Sequence, residues 1–255
     1  MKFKTTPYHF DLIKDNERLS AFFQAINEYD GLCELAYDLG CGSGILSYFL
    51  SSKFSKIIAI EVDSSASKCA MENLASLKNI NVVNEDVLEY EFDKKADLIL
   101  CEMMDTALID EEQVPVLNHA KKFLKPTGKI IPQGVINAAE LVNMEREYIH
   151  WDENAKYDVY SDMVIYSEFD FLDDVDVCFE AYLSFKAKKD GIVNGIKITT
   201  FTKLTDDIIC GPTPMLNPPL LIPFDAKSLK SNEYITVNLK YIMGNGIESI
   251  ESKVI

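Results

Sequence analysis

Residues 35–47 read Leu-Ala-Tyr-Asp-Leu-Gly-Cys-Gly-Ser-Gly-Ile-Leu-Ser. A short apolar run enters a turn holding Gly40, Gly42 and Gly44, and a helical pattern follows. Glycine admits positive φ and lets a bound molecule touch the main chain. A helix beginning near Gly44 aims its free N-terminal amides at the same place. After the first strand of an α/β sheet, such a turn forms a nucleotide-type binding site.

The spacing narrows the ligand. The dinucleotide fingerprint is G-x-G-x-x-G; here the third glycine comes one residue early and position 45 is Ile. Asp38 ends the strand, where a carboxylate repels pyrophosphate and attracts a ligand bearing ammonium and sulfonium charges. The next apolar run, Ile57-Ile58-Ala59-Ile60, ends in Glu61, an acid placed to accept the hydroxyl protons of a ribose. The combination is similar to motif I and its acidic partner in class I S-adenosylmethionine (SAM) methyltransferases.

Outward from this stretch the pattern alternates. Leu19, Phe22, Phe23 and Ile26 predict an amphipathic helix from Asp15 onward, capped by Asp15 or Asn16. Arg18 falls in its first turn, where a cation opposes the helix dipole, so a carboxylate ligand or an ion pair is expected there. Strands are expected at 35–39, 56–61, 80–84, 96–101 and 129–132, with helices at 44–53, from a Ser64 or Ser65 cap, and at 112–123. Lys125-Pro126-Thr127-Gly128 reads as a turn.

Beyond Pro132 the character changes. Strand-like runs occupy 140–143, 176–185, 195–204 and 234–243, with turn signals at 189–191, Asn194-Gly195, Gly211-Pro212 and 244–246. The expected fold class is α/β: a Rossmann-like class I methyltransferase sheet over residues 1–133. A smaller β-rich, barrel- or sandwich-like domain follows over 134–255.

The net charge of −16 disfavours a nucleic-acid partner, which needs cationic contacts to phosphate, and favours a basic or neutral substrate. No apolar run approaches the ~18 residues of a membrane span, and the start resembles no secretion signal. Six cysteines are scattered without C-x-x-C spacing, which reads as reduced thiols of a cytoplasmic protein and no zinc site.

Four blocks in order resemble the protein arginine methyltransferases. Leu12, Asp15 and Arg18 follow that family's hydrophobe…D-x-x-R pattern, with His9 where it has a histidine. Asp38 to Gly44 matches its motif I. Glu102 and Glu111 match its paired-glutamate loop at the same nine-residue separation, and 117–132 resembles the helix, turn and strand that follow. The segment Ile149-His150-Trp151-Asp152-Glu153-Asn154 is similar to one just beyond. Two features depart: Asp105-Thr106 stands where the family has Gly-Tyr, and no His or Trp follows Trp151 to supply its Thr-His-Trp loop. They bear on the acceptor and leave the cofactor untouched.

The resemblance implies methyl transfer from SAM, giving S-adenosylhomocysteine (SAH), to a nitrogen acceptor, with Glu102 and Glu111 clamping the acceptor. It implies a cofactor set of His9, Arg18, Asp38, Gly40, Cys41, Gly42, Gly44, Ile45, Leu46, Glu61, Val62, Asp86, Val87 and Glu102, and no metal. Arg18 meets the SAM carboxylate, Asp38 its amino-acid end, Glu61 the ribose, and Asp86 and Val87 the adenine. A protein or peptide substrate and a homodimer, with a reduced dimerisation arm, complete the expectation. Rival readings are the same fold acting on RNA or a small amine, and a SAM-binding module without catalysis. Asn217-Pro218-Pro219-Leu220 lacks the aromatic of amino-group nucleic-acid methylases and lies far beyond the fourth strand. It reads as a rigid loop near the site mouth.

Overall fold

Strand β1 (Cys33–Leu39) is buried from Leu35 through Leu39, as a central strand covered on both faces must be. It lies in a five-stranded parallel sheet in a computed structural model that describes residues 3–30, 32–152 and 155–255. The other strands are β2 (Phe54–Ile60), β3 (Ile80–Val83), β4 (Ala96–Cys101) and β5 (Leu124–Ile131), in spatial order β3-β2-β1-β4-β5. The order reverses between β1 and β4. Ligands of open α/β sheets bind in the crevice outside the carboxyl ends of strands at such a point.

Among the described residues five α-helices accompany the sheet: α1 (Pro7–Leu12), α2 (Asn16–Asn27), α3 (Ile45–Leu50), α4 (Ser64–Leu74) and α5 (Gln113–Ala120). Asp15 caps α2, its carboxylate accepting from Arg18 N at 3.0 Å, and α2 buries Arg18, Phe22, Ala25 and Ile26. The cap of α4 is Asp63 and neither of the serines expected for it. Asp63 is extended and its Oδ1 accepts from Ala66 N at 2.7 Å, whereas Ser64 is already helical. Residues 125–128 form a bulge inside β5 instead of a turn before it. Ala96 pairs with Leu124 and Leu98 with Lys129, and Lys125 Nζ holds Asp97 at 2.9 Å across the irregularity.

Past Ile131 all pairing among the described residues is antiparallel. The strands are β6 (Gly134–Met144), β7 (His150–Trp151), β8 (Tyr157–Val159), β9 (Val164–Asp170), β10 (Cys178–Lys186), β11 (Gly191–Lys203), β12 (Ile209–Cys210), β13 (Leu220–Leu229), β14 (Tyr234–Ile242) and β15 (Glu251–Val254). One sheet runs β7-β13-β11-β6-β8, with β9 on β6 and β12 on β11; a second runs β10-β14-β15. Asn194-Gly195, expected as a turn, is a bulge within β11. The Asn194 side chain bonds both the N–H and the carbonyl of Met144 at the end of β6. Of the 149–154 segment, Glu153 and Asn154 lie outside the described residues.

One contiguous buried cluster joins the two halves. It includes Tyr37 and Ile99 of the parallel sheet, Ala107, Leu108 and Ile109 of the loop after β4, and Leu141, Ile198 and Leu239 of the antiparallel sheets. The loop after β4 is therefore gripped from both sides. Among the described residues no helix is long and apolar enough to cross a membrane.

Candidate active site

A cavity of about 970 Å³ opens at the carboxyl ends of β1, β2 and β4, at the order reversal. Its wall holds His9, Arg18, Asp38, Gly40, Cys41, Gly42, Ile45, Leu46, Glu61, Val62, Asp86, Val87, Glu102 and Glu111. Side chains drawn from five separate stretches of sequence thus meet in one space. Gly44 is the exception to the expected set: it does not line the cavity. Its φ is +85°, and an added Cβ would meet Leu74 Cδ1 at 2.7 Å, so it serves the close packing of the turn against α4.

The glycine turn is shaped by its neighbours. Gly40 and Gly42 have φ of +71° and +54°, where side chains are disfavoured. A Cβ on Gly40 would strike Met103, and one on Gly42 would reach the His9 ring at 2.8 Å. Glu61 is buried and holds the turn: one oxygen accepts from Gly42 N at 2.8 Å and the other from Asp63 N at 2.8 Å. Each carboxylate oxygen retains a further lone pair for a hydroxyl donor. Asp86 closes its own turn, accepting from Leu88 N at 2.8 Å.

Asp38 is buried and takes the Ser47 hydroxyl at 2.5 Å. Burial pushes its carboxyl up to about 7, the Ser47 bond opposes this, and Glu61 and Glu102 add to it. A carboxyl so placed favours a cationic neighbour. His9 takes Thr6 Oγ1 on its Nδ1 at 2.6 Å, and burial lowers its pKa.

The acidic end is the loop from Glu102 to Glu111. Arg18 Nη2 pairs with Glu102 Oε2, both side chains almost wholly buried, and Arg18 Nη1 donates to Leu12 O at 3.3 Å. Among the described residues Arg18 Nε has no hydrogen-bond partner. Glu111 is raised above the usual carboxylate range, by burial first and then by Glu102 and Asp110; Tyr8 OH approaches it at 3.5 Å. The start of the loop is fixed by buried Gln113, which accepts from Met103 N at 3.0 Å and donates to Cys101 O at 2.8 Å.

The departure at 105–106 has a structural function. Asp105 is buried and accepts from Ile109 N, Asp110 N and Glu111 N at 3.1, 2.9 and 3.2 Å. Burial pushes its carboxyl up to about 7 against the pull of those amides, with Asp110 and Glu111 adding to the rise. Thr106 Oγ1 donates to Pro218 O at 2.7 Å, and Ala107 N donates to Thr200 Oγ1 at 2.8 Å. Gly244 N and Gly246 N reach Leu108 O and Ile109 O at 3.1 and 3.0 Å. These bonds hold Ala107 and Leu108 at φ of 59° and 63°, costly for residues with a Cβ.

Asn217, Pro218, Pro219 and Leu220 do not line the cavity, but the segment before them is tied to it. Thr213 Oγ1 and Met215 N donate to Asp15 Oδ2 at 2.5 and 3.1 Å, and Met215 lines the cavity. The link spans 198 positions in sequence and no local pattern announces it. Tyr8, Asp63, Met103, Glu112 and Met215 also line the cavity without having been expected there. For Tyr8 and Met103 the signal was their place beside His9 and Glu102.

Residues 36–128 match the family described as a methyltransferase domain. An uncharacterized protein of Methanothermobacter thermautotrophicus is 48% identical over 255 residues and covers the whole of both chains. One of Methanocaldococcus jannaschii is 37% identical over 98% of each. Histone-arginine methyltransferase CARMER of Drosophila ananassae is 33% identical over 127 residues, 48% of this chain and 24% of its own. The Trypanosoma brucei PRMT1 enzyme–prozyme heterotetrameric complex with AdoHcy shares the fold: TM-score 0.80, over 98% of this chain and 96% of that one, at 17% identity. The chain belongs to one family with these two archaeal proteins, and its residues 36–128 form a methyltransferase domain.

The cavity has features that fit SAM, the cofactor that the sequence resemblance implies. The partnerless Nε of buried Arg18 is a donor awaiting an acceptor such as a carboxylate. Gly40 and Gly42 bear no side chain, and the buried acids Asp38 and Glu61 in the cavity wall suit a ligand with cationic and hydroxyl groups.

Proposed function

We propose that this methyltransferase acts on the guanidinium nitrogen of arginine in a protein or peptide. The observation behind this reading is that Glu102 and Glu111 line the same cavity as the glycine turn, one paired with a buried arginine and the other beside Tyr8. Bound SAM supplies an electrophilic methyl group on a sulfonium. The protein's part is alignment and charge placement.

In this reading Arg18 directs its free Nε to the cofactor carboxylate, Asp38 faces the ammonium, Glu61 the ribose hydroxyls, and Asp86 and Val87 the adenine. His9 and the turn at Gly40, Cys41 and Gly42 enclose the middle of the ligand, with Ile45, Leu46 and Val62 as apolar wall. Glu102 and Glu111 receive the planar fork of the acceptor through paired charge-assisted hydrogen bonds. Bringing a guanidinium to a sulfonium sets two cations together, and the two carboxylates offset that repulsion. Residues 1–133 act as the SAM-binding domain and 134–255 as the substrate-side domain, a homodimer being the expected assembly. Six unpaired thiols suit a cytoplasmic setting.

The test is label from SAM followed into the protein, RNA and small-molecule fractions of a cell extract, with wild type and Glu102→Gln side by side. The reading predicts label in protein, recovered as methylarginine and lost in the variant. Label only in small molecules favours a small amine. That second reading has its own support: Met215 of the tied 211–219 loop lines the cavity, and no His or Trp follows Trp151. SAM binding with no label in any fraction favours a module without catalysis.

A further inference from the structure

Residues 3–13 run over the cavity as a strap, with Thr5, Thr6, Tyr8 and His9 in its wall, yet α1 buries none of its residues. A helix that buries nothing is not held by core packing. Its hold lies before it. Lys4 N donates to Asn73 Oδ1 at 2.8 Å, and Asn73 Nδ2 donates back to Lys4 O at 2.8 Å. The same Nδ2 donates to Ser43 O at 2.9 Å, in the glycine turn. Asn73 therefore pairs with residue 4 as a neighbouring strand would, while gripping the turn that faces the cofactor.

The Asn73 side chain is only 5% exposed, so these bonds form away from water, where they are stronger and costlier to break. A second contact joins the same two segments, the His9 ring lying over Gly42. At its far end the strap is held by Arg18 Nη1, which donates to Leu12 O at 3.3 Å, and Phe3 meets Tyr48 edge-on. The Lys4–Glu72 ion pair is exposed, and Tyr8 lies a long 3.5 Å from Glu111. Exposed ion pairs contribute little.

We infer that Asn73 is a positioning residue for the cofactor: it clasps the strap and the glycine turn into one wall and sets how long SAM and SAH stay bound. Asn73 does not itself line the cavity. Its loss frees residue 4 and leaves two carbonyls without their donor. Escape then quickens, while encounter is little changed.

The test uses the full chain with SAH as the probe, by calorimetry, by dissociation rate in a competition chase, and by trypsin cleavage after Lys4 and Lys14. Asn73→Ala raises the Kd for SAH by about tenfold, nearly all in the dissociation rate, and speeds both cleavages without SAH. Asn73→Asp fills the same volume but cannot donate to Lys4 O or Ser43 O, so it behaves like Asn73→Ala. Lys4→Pro removes the donor to Asn73 Oδ1, together with the exposed Lys4–Glu72 ion pair, for which Glu72→Gln is the control, and the cleavage site after residue 4. It raises the Kd and the dissociation rate and speeds cleavage after Lys14 in the same direction, and adds little when combined with Asn73→Ala. Glu72→Gln leaves all of them as in wild type. If the Asn73 variants fail to fold, Lys4→Pro carries the test alone. SAH release and cleavage after Lys14 unchanged in Lys4→Pro, or an equal effect of Glu72→Gln, would overturn the inference.

Discussion

The glycine turn at 40–44 and the acidic loop at 102–111 face each other across one cavity and reach left-handed backbone by opposite means. The turn uses glycine at every such position, φ +71°, +54° and +85°. The loop has none; Ala107 and Leu108 take φ of 59° and 63°. What holds them comes largely from far along the chain: Thr200, Pro218, Gly244 and Gly246, besides the nearby Asp105. One segment is shaped by its own residues, the other by tertiary bonds. The first tolerates little change of its own residues, and the second is only as well placed as its anchors.

The largest expected effect that probes this difference is at Asp105. Asp105→Asn presents an N–H₂ where backbone amides need acceptors, so Glu111 shifts. Turnover falls by about 10², the order expected for a misplacement near 1 Å, while calorimetry finds SAH affinity close to wild type. Equal losses of both would mean that the loop also shapes the cofactor end. Gly42→Ala does the reverse: its Cβ meets the His9 ring and its backbone pays about 1 kcal/mol for φ > 0, so SAH binding weakens by about tenfold or more.

A pH series separates the two ends further. With Asp38 pushed up to about 7 and a cation bound opposite it, binding displaces its proton. SAH affinity therefore climbs with pH below about 7, by at most about tenfold per unit, and levels off above. Asp38→Asn flattens that slope; a slope kept in the variant assigns it to another group. The smallest effect is Ala107→Gly, which relieves left-handed backbone and stabilises the chain by about 0.5–1 kcal/mol in denaturant unfolding. Destabilisation there would show that the buried methyl matters more than the backbone.

The same contrast explains what could be read in advance. Strand β1, its turn and Glu61 are neighbours in sequence or one βα unit apart, so alternation and glycine spacing were enough to locate them. Asp15 was legible as a cap but not as the anchor of Thr213 and Met215, because a cap is a local signal and that contact is not. Ser64 and Ser65 were plausible caps by residue type; Asp63 prevailed because the chain is still extended there. Asn194-Gly195 carries the composition of a turn, but its side chain bonds β6 and keeps the strand going. In the second half β9, β13 and β15 had no clear period, since strands such as β9 are only half buried on either face.

The most direct test of the division into a cofactor end and an acceptor end is a paired measurement on Glu111→Gln: the Kd for SAH, and label transfer from SAM to the protein fraction. The expected result is SAH binding near wild type with transfer reduced by about 10²–10³, the range for removal of a preorganised charge-stabilising group. Transfer that survives the substitution, or SAH binding that falls along with it, would contradict the account.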